Sequence, residues 1–263
     1  MRQRVPTLAA VVTASMVLRS LGAAQTPDTG RRDTIRWPTG TFSILAMDPT
    51  TGEMGGAVQS RVFSVGNGVL WAEAAIGVVA TQAIVDVSYG PQALALLRTG
   101  RSAEQVVTQV LANDADPDPK DWPKAGRQFA VLDAQGNVFA HTGPQATAWA
   151  GNRSCAAPHV CTAQGNILAG PGVVDSMVAA FERTEGALRL RLVAALEGGQ
   201  RAGGDKRGQQ SAALLIVSTK QNCGIWLHND VILRLQVDDS AEPIAELRRL
   251  AEHRAAARKQ RGC

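Results

Sequence analysis

The sequence predicts a layered α+β domain, in which antiparallel sheets are stacked and helices lie outside them. Predicted hairpins and strands alternate along the chain with pairs of helices, as in α+β folds. Doubly wound parallel folds alternate strand and helix singly, and no Gly-x-Gly-x-x-Gly motif follows a strand here. The length of 263 residues, with 45% hydrophobic and 19% charged residues, is ordinary for globular proteins.

The first 24 residues have the features of an export signal. Two early arginines precede an apolar stretch, and the small residues Gly-Ala-Ala stand before a cut ahead of Gln25. Residues 25–40 carry turn formers and charges without periodicity, which predicts a linker or a propeptide. No later stretch is long and apolar enough for a membrane helix. We therefore expect a secreted or periplasmic protein that does not contact a membrane after signal cleavage.

The predicted elements form one domain over residues 41–258. Alternation in TFSILAMD and MGGAVQSR around the turn PTTGE predicts a hairpin over 41–61. The next elements are a strand at 76–85, helices in YGPQALALLRTG and SAEQVVTQVLAND, the second with Ser102 as its cap, and a hairpin at 127–143. The later elements are helices at 172–184 and 186–198, strands at 211–218 and 231–239, a helix at 241–258 and a tail at 259–263.

The charge pattern argues against a nucleic-acid partner. The formal net charge is +4, but three arginines lie in the first 24 residues, and from Thr41 onward acidic and basic residues are equal in number. Binding to nucleic acid needs a concentrated basic face. We expect a small-molecule or peptide substrate instead, and the paired hydrophobic faces of the predicted elements also make a homodimer a reasonable expectation.

The four cysteines allow two interpretations. In an oxidising compartment, Cys155 and Cys161 are expected to close a short loop as a disulfide. Adding His159 would make the same stretch a metal site, but zinc needs four ligands, or three and a water. The disulfide is favoured, and no metal or other cofactor is expected. Cys223 and Cys263 are available to pair, although their spacing does not indicate it.

The junction between Gly40 and Thr41 also allows two interpretations. It is either an ordinary transition from linker to strand or a bond that is cut to expose Thr41 as a nucleophile. A threonine hydroxyl needs a base, and the α-amine of an N-terminal Thr41, with a pKa of about 7.7–8 in model peptides, would serve as one. Glycine before the cut leaves its carbonyl open to attack. From these residues alone, the ordinary junction is favoured.

Four longer stretches change this balance: TFSILAMDPTTGEMGGAVQSRVFSVGNGVLWAEAAIGVVATQA, SYGPQALALLRTG, QGNILAG and GGDKRGQQSAALLIV. They resemble an uncharacterised bacterial family, domain of unknown function 1028, which is placed in the N-terminal nucleophile (Ntn) hydrolase superfamily. The resemblance runs from Thr41 to about Leu250. It implies a four-layer αββα sandwich and the nucleophile position for Thr41. Because forty residues precede Thr41, it also requires self-cleavage at Gly40–Thr41 or trimming by another protease.

Further site residues are predicted from the needs of acyl transfer, which are donors aimed at the developing oxyanion and a polar network around the amine. The loop GGDKRGQQS offers Asp205 and Lys206 as catalytic candidates and Arg207 as a binding candidate, although a solvated turn fits equally well. The other substrate or oxyanion candidates are polar residues in or beside predicted strands: Ser43, Gln59, Ser60, Thr81 and Asn166.

The placement or role of most of these strand residues is open from the sequence. Gln59 and Ser60 end the strand that pairs with the Thr41 strand, and they lie near the cleft or near the other end of the hairpin, depending on register. Ser43 shares a sheet face with Thr41, because strand side chains alternate. Thr81 and its neighbour Gln82 lie in an apolar strand, so they face either a site or a satisfied core network. By its residue type, Asn166 is as suitable for forming a turn as for donating a hydrogen bond to an oxyanion.

Two functional hypotheses follow. The first is a secreted Ntn-type amidohydrolase that cuts a C–N bond of a small or peptide-like substrate through an acyl-Thr41 ester. The second is a non-catalytic periplasmic binding or structural protein with the same fold and no free Thr41. They differ in whether the mature chain begins at Thr41.

Overall fold

The computed structural model describes residues 40–253 and, at the start of the chain, Met1. The chain divides into two units, Met1–Ile35 and Arg36–Cys263, and the strands and helices of the described residues belong to the second. The predicted export signal, the tail at 259–263, Cys263 and the predicted linker apart from Gly40 lie outside the described residues.

The described residues form a mixed α+β structure with two antiparallel sheets and five helices, which confirms the predicted α+β class. The strands are β1 (Thr41–Asp48), β2 (Glu53–Ser60), β3 (Leu70–Glu73), β4 (Gly77–Ala83), β5 (Arg127–Asp133), β6 (Val138–Thr142), β7 (Gly151–Ser154), β8 (Val160–Asn166), β9 (Ser211–Ser218) and β10 (Val231–Val237). The helices are α1 (Tyr89–Arg98), α2 (Ala103–Asn113), α3 (Gly172–Arg183), α4 (Leu188–Arg201) and α5 (Pro243–Glu252).

Sheet order places the first strand in the middle of the larger sheet. That sheet has the order β10-β9-β2-β1-β8-β7, and the smaller one has the order β3-β4-β5-β6. The predicted hairpin is confirmed, since β1 and β2 pair antiparallel. In this register Thr41 lies opposite Ser60 on one side and opposite Asn166 on the other. The first residue of β1 is therefore flanked by backbone on both sides.

Alternating side chains divide the apolar residues among three cores. From β1, Phe42 and Ile44 pack with residues of α3, α4 and α5 in one core. Leu45 and Met47, on the opposite face of the strand, join a second core with residues of the smaller sheet. The third core lies between the other face of the smaller sheet and helices α1 and α2. By the two-residue period of a strand, Thr41 and Ser43 share the face of Leu45.

Three strands, β3, β7 and β8, are absent from the sequence prediction. β3 (Leu70–Glu73) has only four residues, and β7 (Gly151–Ser154) is a polar, largely exposed edge strand, so neither shows the apolar alternation that predicts a strand. β8 (Val160–Asn166) has the sequence VCTAQGN, in which Val160 is the one large apolar residue, so it shows no clear apolar alternation.

The final helix, predicted over 241–258, is α5 (Pro243–Glu252) within the described residues. The predicted cap of α2 is present: Ser102 accepts a hydrogen bond from the Gln105 main chain in a capping box. None of the described helices has the length and apolar character to cross a membrane.

The predicted disulfide between Cys155 and Cys161 is present, with a Cα–Cα distance of 5.1 Å. Its two sulfurs are bonded to each other, so the alternative metal site would lack its thiolate ligands. In the described part of the chain, no three His, Cys, Asp or Glu side chains are grouped to hold a metal ion. His159 instead contacts Arg191, with 3.2 Å between Nδ1 and Nη2. Cys223 is also disulfide-bonded.

Candidate active site

Thr41 lies at the end of the larger sheet where β2 and β8 end and β9 begins. Its side chain is buried, with the residue only 3% exposed. The Thr41 hydroxyl oxygen is 3.0 Å from the hydroxyl oxygen of Ser60, its partner in the β1–β2 register. Ser60 in turn donates a hydrogen bond of 2.5 Å to the carbonyl oxygen of Gly40. Since a hydroxyl has one proton, the Thr41 hydroxyl is then the donor to Ser60.

The carbonyl oxygen of Gly40 has a second, charged donor. Nη2 of Arg207 lies 2.5 Å from this oxygen. The guanidinium stays protonated in proteins, and hydrogen bonds from charged donors are about twice as strong as neutral ones. A hydroxyl and a cation therefore polarise the carbonyl of the peptide bond that precedes Thr41.

Asp205 holds Arg207 in this position. Its carboxylate accepts from Nε of Arg207 at 3.1 Å and from Nη2 at 2.7 Å, and also from the Arg207 main-chain N–H at 2.9 Å. The Asp205 side chain is fully buried, whereas that of Arg207 is 22% exposed. A buried carboxylate needs such a partner, because an unpaired buried charge is strongly destabilising. The pair fixes the guanidinium at the Gly40 carbonyl.

Position 40 has room for a glycine only. A Cβ added there would lie 2.8 Å from each carboxylate oxygen of Asp205 and 2.9 Å from Nη2 of Arg207. Such distances are too short for any side chain unless the ion pair moves. The glycine before Thr41 is therefore explained by the close approach of Asp205 and Arg207 to its backbone.

A buried network of amide side chains lies beside Thr41, between the two sheets. Ser43 donates to Oε1 of Gln82 at 2.6 Å and accepts from Nε2 of Gln164 at 2.6 Å. Nε2 of Gln82 donates to Oε1 of Gln128 at 2.7 Å and lies 3.4 Å from the Thr41 carbonyl oxygen. The network joins β1, β4, β5 and β8, so it fixes the start of β1 relative to the smaller sheet.

Asn166, opposite Thr41 in the β1–β8 register, belongs to the same network. Its Nδ2 donates to Oε1 of Gln128 at 3.2 Å. Its Oδ1 is buried and has no hydrogen-bond partner among the described residues. A donor that enters the site would therefore find a free acceptor next to Thr41.

The other predicted site residues lie farther from the Thr41 hydroxyl. Gln59 is on the helix-facing side of β2, where its Nε2 contacts the carbonyl oxygen of Gly208 at 3.4 Å. Thr81 is on the helix-facing side of β4 and donates to the carbonyl oxygen of Gly68 at 2.7 Å. Lys206 is exposed, and its main-chain N–H donates to the carbonyl oxygen of Ile167. The structure thus brings Ser43, Ser60, Asn166, Asp205 and Arg207 together around Gly40 and Thr41.

Three amides of the network, Gln82, Gln128 and Gln164, are not among the predicted site residues, although the sequence indicates that Gln82 faces either a site or a core network. Gln128 and Gln164 are amides inside apolar strands, as Gln82 is, and all three are almost completely buried. Their signal in the sequence is a polar residue in a strand one or two positions from its end. That signal indicates burial with a partner but does not identify the partner, which here lies on a neighbouring strand or on the other sheet.

A cavity of about 170 Å³ opens beside Thr41. Thr41 and Gln82 line it, together with segments 62–65, 68–69 and residues 83 and 85. Most of these residues are valine, alanine or phenylalanine. The cavity gives the site an apolar compartment next to the candidate nucleophile.

A buried ion pair supports one wall of this cavity. Nε of Arg127 lies 3.2 Å from Oδ2 of Asp114, and both side chains are only 2% exposed. Nη1 of Arg127 donates to the carbonyl oxygen of Ile84 at 2.9 Å, and the Trp122 indole donates to that of Val85 at 2.7 Å. Burial raises the pKa of Asp114, but the hydrogen bond from Tyr89 and the charge of Arg127 outweigh it, and the net shift is downward.

The chain is similar to a described protein family and to solved structures. The model of a family described as "Family of unknown function (DUF1028)" matches residues 41–247. A crystal structure of a Silicibacter pomeroyi protein, described under the same family model, has 32% sequence identity and a TM-score of 0.70. The match covers 81% of this chain and 85% of that one.

A second solved structure is a distant match. It is Anbu, an ancestral β-subunit from Yersinia bercovieri, with 8% identity and a TM-score of 0.35 over 79% of this chain and 92% of that one. No curated protein matches the chain.

Proposed function

This chain belongs to the DUF1028 family, and we propose that it is an exported amidohydrolase of the N-terminal nucleophile type that uses Thr41. One observation carries the proposal: the Gly40 carbonyl oxygen accepts hydrogen bonds from Ser60 and Arg207 while the Thr41 hydroxyl donates to Ser60. We further infer that the two sheets and their flanking helices form the four-layer αββα sandwich of that superfamily. The contacts of the three cores support this arrangement.

The first reaction we propose is cleavage of the chain itself at Gly40–Thr41. The Thr41 hydroxyl oxygen attacks the Gly40 carbonyl carbon, and negative charge develops on the Gly40 oxygen, where Ser60 and Arg207 donate. The C–N bond breaks, the Thr41 hydroxyl proton reaches the nitrogen by way of Ser60, and an ester remains. Water then hydrolyses this ester, which releases the Gly40 carboxylate and leaves Thr41 with a free α-amine.

The same groups would then act on a substrate amide. Removal of Gly40 opens the space in front of Asp205 and Arg207, which contact it in the intact chain. A substrate carbonyl placed there would meet the donors that Gly40 meets, and the Thr41 amine would act as the base for its own hydroxyl. Attack forms an acyl-Thr41 ester and releases the amine of the substrate. Water hydrolyses the ester and restores the enzyme.

Export to an oxidising compartment is part of the proposal. The Cys155–Cys161 disulfide supports it, because disulfides persist outside the reducing cytosol. We propose that residues 1–24 are the signal and residues 25–40 the propeptide.

A non-catalytic binding protein is the second candidate function. The low exposure of Thr41 favours it, because the intact chain offers a substrate little access to the hydroxyl. The two functions are separated by acylation of the exported protein with a β-lactone, followed by peptide mass mapping. The enzyme proposal expects one acyl adduct on Thr41 and none in Thr41→Ala. No adduct on a wild-type chain that begins at Thr41 would favour the binding protein.

A further inference from the structure

The cavity beside Thr41 specifies the acyl part of the substrate. We infer that the enzyme cleaves amides whose acyl group is uncharged, apolar and about six carbons long. This inference rests on the proposed function, because it assumes that Thr41 attacks the substrate carbonyl. It goes beyond that function by naming the chemical class of the group that enters the cavity.

The size of the cavity sets the length of the acyl group. Its volume is about 170 Å³. An apolar protein cavity of about 150 Å³ accommodates benzene, a molecule of six carbons. An acetyl group would leave most of the space empty, and a ten-carbon chain would extend out of it. Because Thr41 is part of the wall, an acyl group bound to its hydroxyl would begin beside the cavity.

The lining determines the polarity of the acyl group. No Asp, Glu, Lys, Arg or His is among the described residues that line the cavity. Ser64 is hydrogen-bonded to Asp238 at 2.6 Å, and the amide of Gln82 is engaged by Ser43 and Gln128. A carboxylate in the acyl group would lose its water without gaining a partner, which is costly in an apolar site. The cavity therefore excludes charged acyl groups.

The walls are held by hydrogen bonds from outside the cavity. Ser211 accepts from the main-chain N–H of Val65 at 3.0 Å and donates to the carbonyl oxygen of Val62 at 2.5 Å. Thr81 fixes Gly68, and Trp122 fixes Val85 on the opposite side. A preformed cavity loses little entropy when it is filled, so differences in acyl length translate into differences in rate.

The test is the acyl-length profile of the mature wild-type protein. We would measure kcat/KM for p-nitroanilides of acetic, butanoic, hexanoic, decanoic, phenylacetic and glutaric acids. From acetyl to hexanoyl, kcat/KM should rise about fourfold for each methylene and then stop rising at decanoyl. Phenylacetyl should match hexanoyl, and glutaryl should be lower than hexanoyl by about a hundredfold.

A cavity-filling substitution tests the assignment of the site. Val62→Phe should shift the optimum to butanoyl, and Val85→Phe does the same from the other wall if the first variant does not fold. Leu227→Phe is the matched control, because Leu227 is 83% exposed and follows the end of β9 remote from Thr41. The control should keep the wild-type profile.

The outcomes distinguish failure of the acyl-group inference from failure of the proposed amidohydrolase function. Hydrolysis with acetyl or glutaryl preferred, or a profile that neither cavity variant changes, would overturn the inference and leave the amidohydrolase standing. No hydrolysis of any of the six amides by a chain that begins at Thr41 would overturn both.

Discussion

Nη2 of Arg207 lies 2.5 Å from the carbonyl oxygen of Gly40, although the two residues are 167 positions apart in the sequence. The contact joins the loop before β9 to the residue before β1. It places a permanent positive charge at the peptide bond on the amino side of Thr41. The proposed cleavage depends on this charge, since it stabilises the oxyanion that attack by Thr41 would form.

Removal of the guanidinium should therefore slow processing of the chain. For Arg207→Met we expect cleavage at Gly40–Thr41 to be about a hundredfold slower, the usual effect of losing one oxyanion donor. The measurement is the time course of intact mass after the chain is synthesised and exported. Arg234→Met is the control, because this arginine is exposed on β10. Equal processing of both variants would contradict a role for Arg207.

The close contact at position 40 gives a second prediction. In Gly40→Ala, the new Cβ would meet the Asp205 carboxylate at 2.8 Å, so the carbonyl or the ion pair must move. A displacement of this size should reduce the cleavage rate by about a hundredfold. Gly170→Ala is the matched control, since a Cβ there would have no atom within 4 Å. The prediction fails if Gly40→Ala is processed at the wild-type rate.

The buried ion pair below the cavity should matter for stability. Arg127→Met leaves the Asp114 carboxylate buried without its cation, and we expect a loss of about 3–5 kcal/mol in the free energy of unfolding. Arg98→Met breaks the exposed pair with Glu73 and should cost less than about 1 kcal/mol. Urea denaturation of the two variants checks the difference. Similar midpoints for both would show that burial of the pair has no energetic consequence.

Burial of His141 predicts a pH dependence of stability. Burial lowers the pKa of His141 below its ordinary value of 6.5, so the unfolded chain binds the proton more readily than the folded one. The contribution of neutral, buried His141 to the free energy of unfolding is full above pH 6.5, and it is lost as the pH falls through the lowered pKa. His141→Asn should therefore lose less stability than the wild type between pH 7 and pH 5, as measured by urea midpoints. If the urea midpoints of His141→Asn and the wild type fall by the same amount between pH 7 and pH 5, this assignment of the pH dependence to His141 is contradicted.

The sequence predicted the fold class and the first hairpin because both depend on local patterns. Alternation and a turn motif define β1 and β2, and the hairpin then brings Ser60 opposite Thr41. The sequence leaves open whether Gln59 and Ser60 lie near the cleft or near the other end of the hairpin, because that placement depends on the register of β1 and β2. Only the register places Gln59 on the helix side.

The remaining parts of the site depend on contacts between distant segments. Arg207 and Gln128 lie near Thr41 although they belong to a distant loop and a distant strand. Contacts between side chains of different sheets produce no local sequence pattern from which they could be predicted. The cavity is also non-local, since its walls come from segments that follow β2 and β4. The residue types of the loop GGDKRGQQS predict a site and a solvated turn equally well, and in the structure Asp205 and Arg207 lie against Gly40, whereas Lys206 is exposed.

The central claim is that the Gly40–Thr41 bond breaks and that Thr41 takes part in breaking it. The direct test is the intact mass and N-terminal sequence of the exported full-length protein, compared with those of Thr41→Ala. We predict a wild-type chain that begins at Thr41 and a Thr41→Ala chain that keeps Gly40 and the residues before it. A wild-type chain that keeps the Gly40–Thr41 bond, or a Thr41→Ala chain cut at the same place, would contradict the account.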